Sequence, residues 1–499
     1  MRRRFVWLVF LVLAFLGLGV RLYHLTAPPL DFHPTRQFHS ALIARQLYLR
    51  WRPGVLTPQE SARRALGNRM ARYEPPLFEA LVARTCILLG RHLGFHLWVA
   101  RLYDALFWLW GAWGVFLLAR RLLDEAAALV AVGYWWFLPF SIQASRSFQP
   151  DPLMTVLVVW SAWAALRWYD QTARNGRKEW WWLAAVVVFG ALAGVVKAYG
   201  VLFALGIWLA LFFARYRWQG WRQPMLWLGT GGLALPVVMV YFFLPRQAVS
   251  EGFLHTWTLR MLPLWFSPRL YGGWLQQMTG TMNGGFLLLA LLGIVLGSTH
   301  LRWLAIGWGG AYAVYGWLVP FHIATHSYYH LPLMPLVAIG LASAAYVLRP
   351  LIANVGRLGR VVVLTALVVA VIYPLGITVW EASQCACQWR AAMYASLGKV
   401  LPEGRIVALT EAYGYPLMYY SDRPVDFWPT GRYRQVFALD GRSFARRFAS
   451  ETRGNDYFLV TDFAEFSRQP TLRHHLATHY PIVLQGEGFV LYDLRHPLR

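Results

Sequence analysis

Ionisable residues gather at a few points of a chain that is otherwise strongly apolar. The densest cluster follows the first apolar run, where Asp31, two histidines and Arg36 fall within nine residues. Glu74 precedes the pair Pro75-Pro76, and Asp151 lies between two prolines. Charged groups in or beside a membrane are costly, so their clustering favours function. Plain structural interpretations stay open, because Asp31 suits a solvated loop before a helix and Asp151 suits a helix N-terminus.

Two further clusters carry nitrogen bases. Lys197 lies at the end of an apolar run, where its ammonium could reach lipid headgroups or contact a bound phosphate. His322, His326 and His330 are spaced by four. On one helix they would align and could ligate zinc, whereas in a loop they would donate hydrogen bonds to a phosphate. Since no acid or thiol lies nearby, the pattern favours the phosphate.

The composition indicates a membrane protein. Of the 499 residues 58% are apolar and 14% charged, with 47 Lys+Arg against 23 Asp+Glu. Such a basic excess suits nucleic acid or an anionic membrane surface. The apolar runs approach the roughly 20 residues of a membrane span, so the membrane is favoured and no nucleic acid partner is expected. Three cysteines exclude a disulfide-built scaffold. No phosphate-binding or dinucleotide-binding glycine motif stands out.

The apolar runs and the basic loops predict eleven membrane spans with a cytoplasmic N-terminus. The segment 77–89 is too short and too charged to span, and the basic loops sort to one side only if it does not cross. We therefore predict that 77–93 is a juxtamembrane helix on the outer face. The predicted spans are 5–22, 97–118, 126–143, 153–169, 180–196, 199–214, 225–244, 284–299, 303–320, 330–348 and 361–380.

This topology places all the clustered residues at the outer face. The outer parts are the loop 23–96, the short loops at 144–152, 196–199, 245–283 and 320–329, and the tail 381–499. The tail alternates predicted strands (405–410, 456–461 and 489–494) with helical patterns (444–451 and 471–478), which indicates a small α/β domain. The fold class is thus a polytopic α-helical membrane protein, with a transmembrane domain at 1–380 and an extracytoplasmic α/β domain at 381–499.

A set of short motifs, in this order and spacing, resembles the GT-C superfamily of glycosyltransferases. Within it, the chain is similar to the protein-O-mannosyltransferases and the lipid A aminoarabinose transferases, which use polyprenyl-phosphate sugars. The resemblance covers roughly residues 1–380. The motifs are the acid-containing outer loop, Glu74-Pro75-Pro76, Ala100-Arg101-Leu102, Ala119-Arg120-Arg121-Leu122, Ser145-Arg146, Pro150-Asp151, Lys197, and Tyr328-Tyr329 with Pro332 and Pro335.

The resemblance implies roles for particular residues. The family's first outer loop carries an Asp-Glu pair, whose place here is held by Arg36-Gln37, counting back from Arg45. The role of base therefore passes to Asp31, five residues upstream, and Asp151 matches the second family acid. Position 75 is proline where related enzymes have a phosphate-binding lysine. The resemblance thus implies catalytic roles for Asp31 and Asp151. It implies substrate binding by Arg36, Glu74, Lys197, His326 and Tyr329.

The implied function is an inverting glycosyltransferase of the inner (plasma) membrane. It would move a sugar from a polyprenyl-phosphate donor to a hydroxyl of a lipid, glycan or protein acceptor. One carboxylate base and several cationic donors would suffice, because a phosphate leaving group needs charge stabilisation more than a proton. A divalent metal is left open, and no cofactor is required. The alternatives are a transporter or lipid flippase, disfavoured because no repeat is seen, and a catalytically inactive scaffold.

Overall fold

The computed structural model describes residues 3–90, 94–172, 179–243, 255–354, 356–385, 387–436 and 443–498. The chain forms two compact units. The first comprises Met1–Leu25, Ala71–Phe78 and Trp98–Gln384, and the second comprises Thr26–Met70, Glu79–Leu97 and Cys385–Arg499. Of the predicted outer loop 245–283, residues 245–254 lie outside the described residues, and the rest contains the helix Pro268–Met282. The predicted boundary after residue 380 falls close to Gln384, but the second unit also takes residues of the first outer loop.

The first unit is helical, and each predicted apolar run coincides with a helix. Where Pro139 interrupts the run 126–143, the helix breaks, because proline offers no N–H to the preceding turn. The helices are α1 (Arg3–Leu22), α5 (Trp98–Leu122), α6 (Glu125–Phe137), α7 (Pro139–Ala144), α8 (Asp151–Thr172), α9 (Glu179–Val196), α10 (Gly200–Tyr216), α11 (Pro224–Val238), α12 (Pro268–Met282), α13 (Gly284–Leu296), α14 (Thr299–Leu318), α15 (Pro320–Ile323), α16 (Met334–Ala353) and α17 (Arg357–Gln384).

Several of these helices are long and apolar enough to cross a membrane. Among the described residues, 6 meet that test, or 7 if the pair α12 and α13, bent by 89°, forms one broken span. The number of eleven spans and the side on which each loop lies stay predictions.

Small residues and buried arginines hold the first unit together. A side chain at Gly206 would collide with the backbone of Gly307, so α10 and α14 cross at close range. Arg21, buried between helices, donates to Ser145 and to the carbonyl oxygen of Trp136. Arg101 donates to the carbonyl oxygens of Arg146 and Leu25. These arginines donate to backbone oxygens near helix ends, which lack partners within the helix.

The second unit combines helices of the first outer loop with an α/β domain. The helices are α2 (Pro34–Trp51), α3 (Pro58–Asn68), α4 (Leu77–Leu88, begun in the first unit), α18 (Cys387–Val400), α19 (Tyr415–Ser421), α20 (Gly431–Val436), α21 (Phe444–Glu451), α22 (Phe463–Ser467) and α23 (Pro470–His479). The strands are β1 (Ile406–Leu409), β2 (Asp426–Phe427), β3 (Tyr457–Val460), β4 (Ile482–Gly486) and β5 (Phe489–Asp493).

The strands form one sheet in the order β2-β1-β3-β5-β4. The first three are parallel, with Val407 opposite Phe458, and β5 and β4 run antiparallel to their neighbours. Both faces of β1 and β3 are buried, since helices pack on each side. The α/β character of the tail is therefore confirmed, while its location outside the membrane stays a prediction.

The first outer loop contains the helices α2 and α4. The helix α2 begins at Pro34, and every residue from Gln37 to Leu49 is buried. It is covered by α3 and by the α/β domain. The helix α4 has 12 residues and is thus about 18 Å long. That length is too short to span a bilayer core of about 30 Å.

Candidate active site in the first unit

The centre of the site is a buried ion pair between Asp151 and Lys197. Asp151 is the first residue of α8, and Lys197 directly follows α9. The Nζ of Lys197 lies 2.7 Å from Oδ1 of Asp151. Asp151 is 0% exposed and Lys197 4%. Burial of this pair costs solvation of both charges, which the short contact offsets only in part.

Two tyrosine rings also lie close to the ammonium. They come from the 3-10 segment Ser327–Leu333, which precedes α16. The Nζ of Lys197 is 4.9 Å from the ring centre of Tyr329 and 5.3 Å from that of Tyr328. At these distances the electron-rich ring faces attract the cation. The ammonium is thus held between one carboxylate and two aromatic faces.

Histidines extend this cluster. The ring of His322 stacks on Tyr329 with centres 4.9 Å apart and lies 5.2 Å from the ring of His326. Burial, together with the charges of His326 and Lys197, holds the pKa of His322 well below its ordinary value. His322 is therefore neutral near pH 7 and can offer one ring N–H and one acceptor.

The third histidine, His330, makes other contacts. His330 is buried, with Nδ1 2.6 Å from the hydroxyl of Tyr312 and Nε2 2.9 Å from the carbonyl oxygen of Ile323. The segment is a short helix, a turn and a 3-10 turn, so the spacing of four does not align the three rings. The described residues contain no group of three or more side chains suited to hold a metal. His330 thus has a structural role between helices.

Glu74 reaches the same cluster through two tyrosines. The carboxylate of Glu74 lies close enough to Tyr199 to interact electrostatically with its phenol. The ring of Tyr199 lies 4.9 Å from that of Tyr315, which stacks on Tyr329 at 5.8 Å. The structure therefore brings together five of the residues that the sequence singled out, which are Glu74, Asp151, Lys197, His326 and Tyr329.

The centre of this cluster has unused hydrogen-bonding capacity. Within the described ranges, Oδ2 of Asp151, Oγ1 of Thr155 and the hydroxyl of Tyr315 are buried without a hydrogen-bond partner. Unsatisfied buried polar groups are rare and call for an explanation. Oδ2 belongs to the carboxylate that binds the ammonium, and the ring of Tyr315 stacks on that of Tyr329, so the cluster is suited to receive a polar group.

Sequence reasoning missed three of these residues: Tyr199, Tyr315 and Thr155. Tyr199 stands two positions after Lys197, and Thr155 follows Asp151 by one helical turn. The spacing of four puts Thr155 beside Asp151 on one helix face, whereas the spacing of two gives no such signal for Tyr199. Tyr315 lies within an apolar helix and had no comparable signal. Its position depends on how α14 packs.

Asp31 and Arg36 belong to the second unit. Asp31 is exposed, in a bend before α2, and Arg36 lies in the first turn of that helix, its backbone N–H donating to the carbonyl oxygen of His33. Gln37 is buried and donates through Nε2 to the carbonyl oxygen of Phe32. Gln37 thus fixes the loop that presents Asp31. That Asp31 and Asp151 lie at the same face of the membrane stays a prediction.

Comparison with known proteins connects this site to one family. Residues 74–242 match the sequence model of the dolichyl-phosphate-mannose-protein mannosyltransferases. The matched stretch begins at Glu74 and includes Asp151 and Lys197. No curated protein matches the sequence.

The fold is similar to solved structures of membrane glycosyltransferases. ArnT from Cupriavidus metallidurans, solved with undecaprenyl phosphate, is 17% identical with a TM-score of 0.59, covering 98% of this chain and 97% of the other. The Archaeoglobus fulgidus oligosaccharyltransferase AglB, solved with an inhibitory peptide and a dolichol-phosphate, is 12% identical with a TM-score of 0.55. The alignment covers 98% of this chain and 74% of AglB. The resemblance to the GT-C glycosyltransferases is therefore confirmed, by sequence over residues 74–242 and by fold over nearly the whole chain.

Proposed function

We propose that this protein is an inverting glycosyltransferase that moves a sugar from a polyprenyl-phosphate donor to an acceptor hydroxyl at the outer face of the membrane. The observation that carries the proposal is the buried Asp151–Lys197 pair, with unsatisfied polar atoms around it, inside the stretch that matches the mannosyltransferase family. The ligands of the two similar structures, undecaprenyl phosphate and a dolichol-phosphate, support a lipid-linked donor.

The donor phosphate is assigned to the cluster around Lys197. An ammonium held by one carboxylate and two rings keeps N–H donors for a further anion. The hydroxyl of Tyr315 and the ring N–H groups of His322 and His326 are further donors for phosphate oxygens. Asp151 orients the ammonium. When the bond between the anomeric carbon and the phosphate oxygen breaks, the negative charge left on the polyprenyl phosphate is stabilised by these groups.

The acceptor hydroxyl is activated by Asp31. The carboxylate takes the hydroxyl proton as the acceptor oxygen attacks the anomeric carbon from the face opposite the phosphate, which inverts that carbon. An exposed acid on a loop fixed by Gln37 suits this task, because it is open to an incoming acceptor. Arg36 and Glu74 are assigned to substrate binding, and the acceptor is a lipid, glycan or protein hydroxyl.

The proposal is tested with the full chain purified in nanodiscs. Radiolabelled polyprenyl-phosphate sugars would be supplied singly, together with a lipid and glycan extract as acceptor source. We expect label to move from the donor to an acceptor or to water, and Asp151→Asn to slow this transfer strongly at donor concentrations below saturation. The matched control is Asp170→Asn at the other end of α8, where the carboxylate pairs with Arg121 at the helix surface.

Two results would contradict the proposal. One is a complete lack of transfer and hydrolysis over a broad panel of donors by a folded protein. The other is transfer that Asp151→Asn and Asp170→Asn reduce equally, since the activity would then not depend on the buried pair.

A further inference from the structure

The parallel part of the C-terminal sheet has a topological switch point that the proposed reaction does not use. From β1 the chain goes to β2 on one side, and from β3 it goes on toward β4 on the other side. Ligands of open α/β sheets bind outside the carboxyl ends of such strands. Here Thr410 and Thr461 directly follow β1 and β3, and the hydroxyl of Thr461 donates to that of Thr410 over 2.7 Å.

The turn after β1 has a backbone conformation that side chains rarely adopt. Ala412, Tyr413 and Gly414 have consecutive positive φ angles of 52°, 57° and 78°. For non-glycine residues this conformation is strained and persists only where the surroundings enforce it. In this turn the side chain of Tyr413 is 38% exposed to solvent.

Two more rings join Tyr413 to form what we call the aromatic platform, consisting of Tyr413, Phe427 and Tyr433. The ring of Tyr413 lies 4.9 Å from Phe427 and 6.0 Å from Tyr433, and these two are 5.7 Å apart. Phe427 ends β2, and Tyr433 lies on α20 just beyond it. All three therefore come from the carboxyl edge of the parallel strands.

Hydrogen bonds to Glu465 and Gln469 fix the loop between Phe427 and Tyr433. The backbone N–H of Gly431 donates to Oε1 of Glu465 over 2.7 Å, and the buried Trp428 donates to Gln469 over 3.0 Å. Gln469 in turn donates to Glu465 over 2.8 Å. Because these bonds hold the loop, the aromatic platform is rigid before any ligand arrives, which lowers the entropic cost of binding.

A charged pair borders the platform. Glu411, two residues before Tyr413, accepts from Nη1 of Arg390 at 2.6 Å, and the Glu411 side chain is 45% exposed. Charged donors and acceptors beside partly exposed rings match a molecule with hydroxyl groups around apolar C–H faces. Sugar C–H groups are attracted to the negative face of an aromatic ring. Three rings are too small an area for a stable protein partner, which buries about 1,200–2,000 Å².

We propose that the aromatic platform with Glu411 and Arg390 is a saccharide-binding site on the C-terminal domain. The choice of a saccharide that serves as acceptor, or lies next to the acceptor hydroxyl, rests on the proposed glycosyltransferase function. The rings stack on the apolar face of a sugar residue, and the charged pair hydrogen-bonds its hydroxyls. No donor lipid is required for this binding.

Binding of soluble oligosaccharides to the full chain in nanodiscs tests the site. Maltohexaose, chitohexaose and mannohexaose would each be titrated by isothermal calorimetry without any donor. We expect saturable binding of at least one of them and a loss of affinity of about 3- to 10-fold in Tyr413→Ala, the range of one aromatic contact. Tyr413→Phe keeps the ring and should bind as the unmodified chain does.

The matched control is Ile482→Ala, which removes an exposed apolar side chain at the opposite edge of the same sheet and should leave binding unchanged. Unchanged binding in both Tyr413→Ala and Phe427→Ala would overturn the site. So would a lack of binding up to about 10 mM, beyond the millimolar range of weak ligands. Because no donor is present, failure of the transfer assay with intact, Tyr413-dependent binding would reject the glycosyltransferase and keep the saccharide site.

Discussion

Burial of the Asp151–Lys197 pair costs solvation free energy, and the atoms around the pair indicate that it does more than stabilise the fold. An ion pair this deeply buried is often no more stabilising than apolar side chains of similar volume. The described part of the chain leaves Oδ2 of Asp151 without a partner. A pair that served stability alone would be expected to have its remaining acceptors satisfied. The unsatisfied oxygen therefore supports the proposal that the pair binds a ligand.

The first prediction concerns this pair. Lys197→Met leaves a buried carboxylate unpaired, and Asp151→Asn leaves a buried ammonium, so each should destabilise the protein by about 3–5 kcal/mol. The double variant should lose much less than the sum. The measurement is a double-mutant cycle of unfolding free energy in detergent micelles. Arg121→Met and Asp170→Asn form the control cycle, because Arg121 is half-exposed and such pairs contribute only about 0.2–1 kcal/mol. Equal coupling in the two cycles would show that burial does not matter.

The second prediction separates the two acids. Asp31→Asn removes the base, so turnover should fall by about 10²–10⁴-fold while donor binding is retained. Asp151→Asn disturbs the ammonium that holds the donor phosphate, so the KM for donor should rise. Steady-state transfer rates over a range of donor concentrations check both, with the exposed Asp426→Asn as control. The roles are reversed if Asp31→Asn turns over normally while Asp151→Asn is inactive at saturating donor.

At the scale of elements, α2 is fixed by the α/β domain through an arginine. Nη1 of Arg45 lies 2.8 Å from the carbonyl oxygen of Tyr419 and 3.2 Å from Asp422, and its guanidinium stacks 4.3 Å from the ring of Tyr419. Asp422 also accepts from Nε of Arg63 on α3 at 2.8 Å. One carboxylate therefore joins α2 and α3 to the sheet domain, and α2 carries the loop of Asp31.

The third prediction follows from this contact. Asp422 has a φ of 57°, which asparagine also tolerates, so Asp422→Asn removes the charge and little else. Loss of charge-assisted hydrogen bonds should cost about 1.5–3 kcal/mol. Hydrogen exchange should show faster exchange of the α2 amides, whereas Asp426→Asn should not change them. Unchanged exchange in Asp422→Asn would mean that α2 is held by apolar packing alone.

The fourth prediction concerns the short helix and 3-10 turn that carry His322. The pKa of this histidine is held well below its ordinary value, chiefly by burial. As the pH drops below about 6.5, His322 therefore binds a proton in the unfolded chain but not in the folded chain. The free energy of unfolding should fall over the same range. His322→Gln should flatten the dependence of Tm on pH between 6.5 and 4.5, while the exposed His255→Gln should not. An identical slope in His322→Gln would assign the dependence to other groups.

The sequence predicts elements of this fold better than contacts between them. Apolar runs mark the helices of the first unit, because length and hydropathy alone determine whether a segment suits a bilayer. Short apolar runs mark β1, β3 and β5, but the two-residue β2 carries too little pattern to be recognised. Asp151 and Lys197 stand out as charges beside apolar runs. Their pairing across 46 positions depends on how α8 packs on α9, which no local pattern encodes.

On the scale of the whole molecule, each compact unit is discontinuous in sequence. The second unit takes its helices α2 and α3 from the first outer loop and its sheet from the C-terminal residues. Its members can share one side of the membrane only if the spans between them return the chain to that side. The grouping of Thr26–Met70 with Cys385–Arg499 therefore bears on topology, because one folded unit cannot be divided by a bilayer.

The fifth prediction is that this side is the outer one. The loops carrying Arg120-Arg121, Arg215, Arg222, Arg302 and Arg349 then all face the cytoplasm, as the positive-inside rule requires. The alternative, in which α4 crosses, would export all of them, and 12 residues are too few to cross. An enzyme reporter that is active only outside the cytoplasm should be active when fused after Leu401 and silent when fused after Arg222. A cytoplasmic fluorescent reporter at the same positions should give the opposite result.

If the fusion after Leu401 were silent and its fluorescent counterpart bright, the topology after residue 96 would be inverted, and Asp151 would lie across the membrane from Asp31. A transfer reaction shared by these two acids would then be impossible.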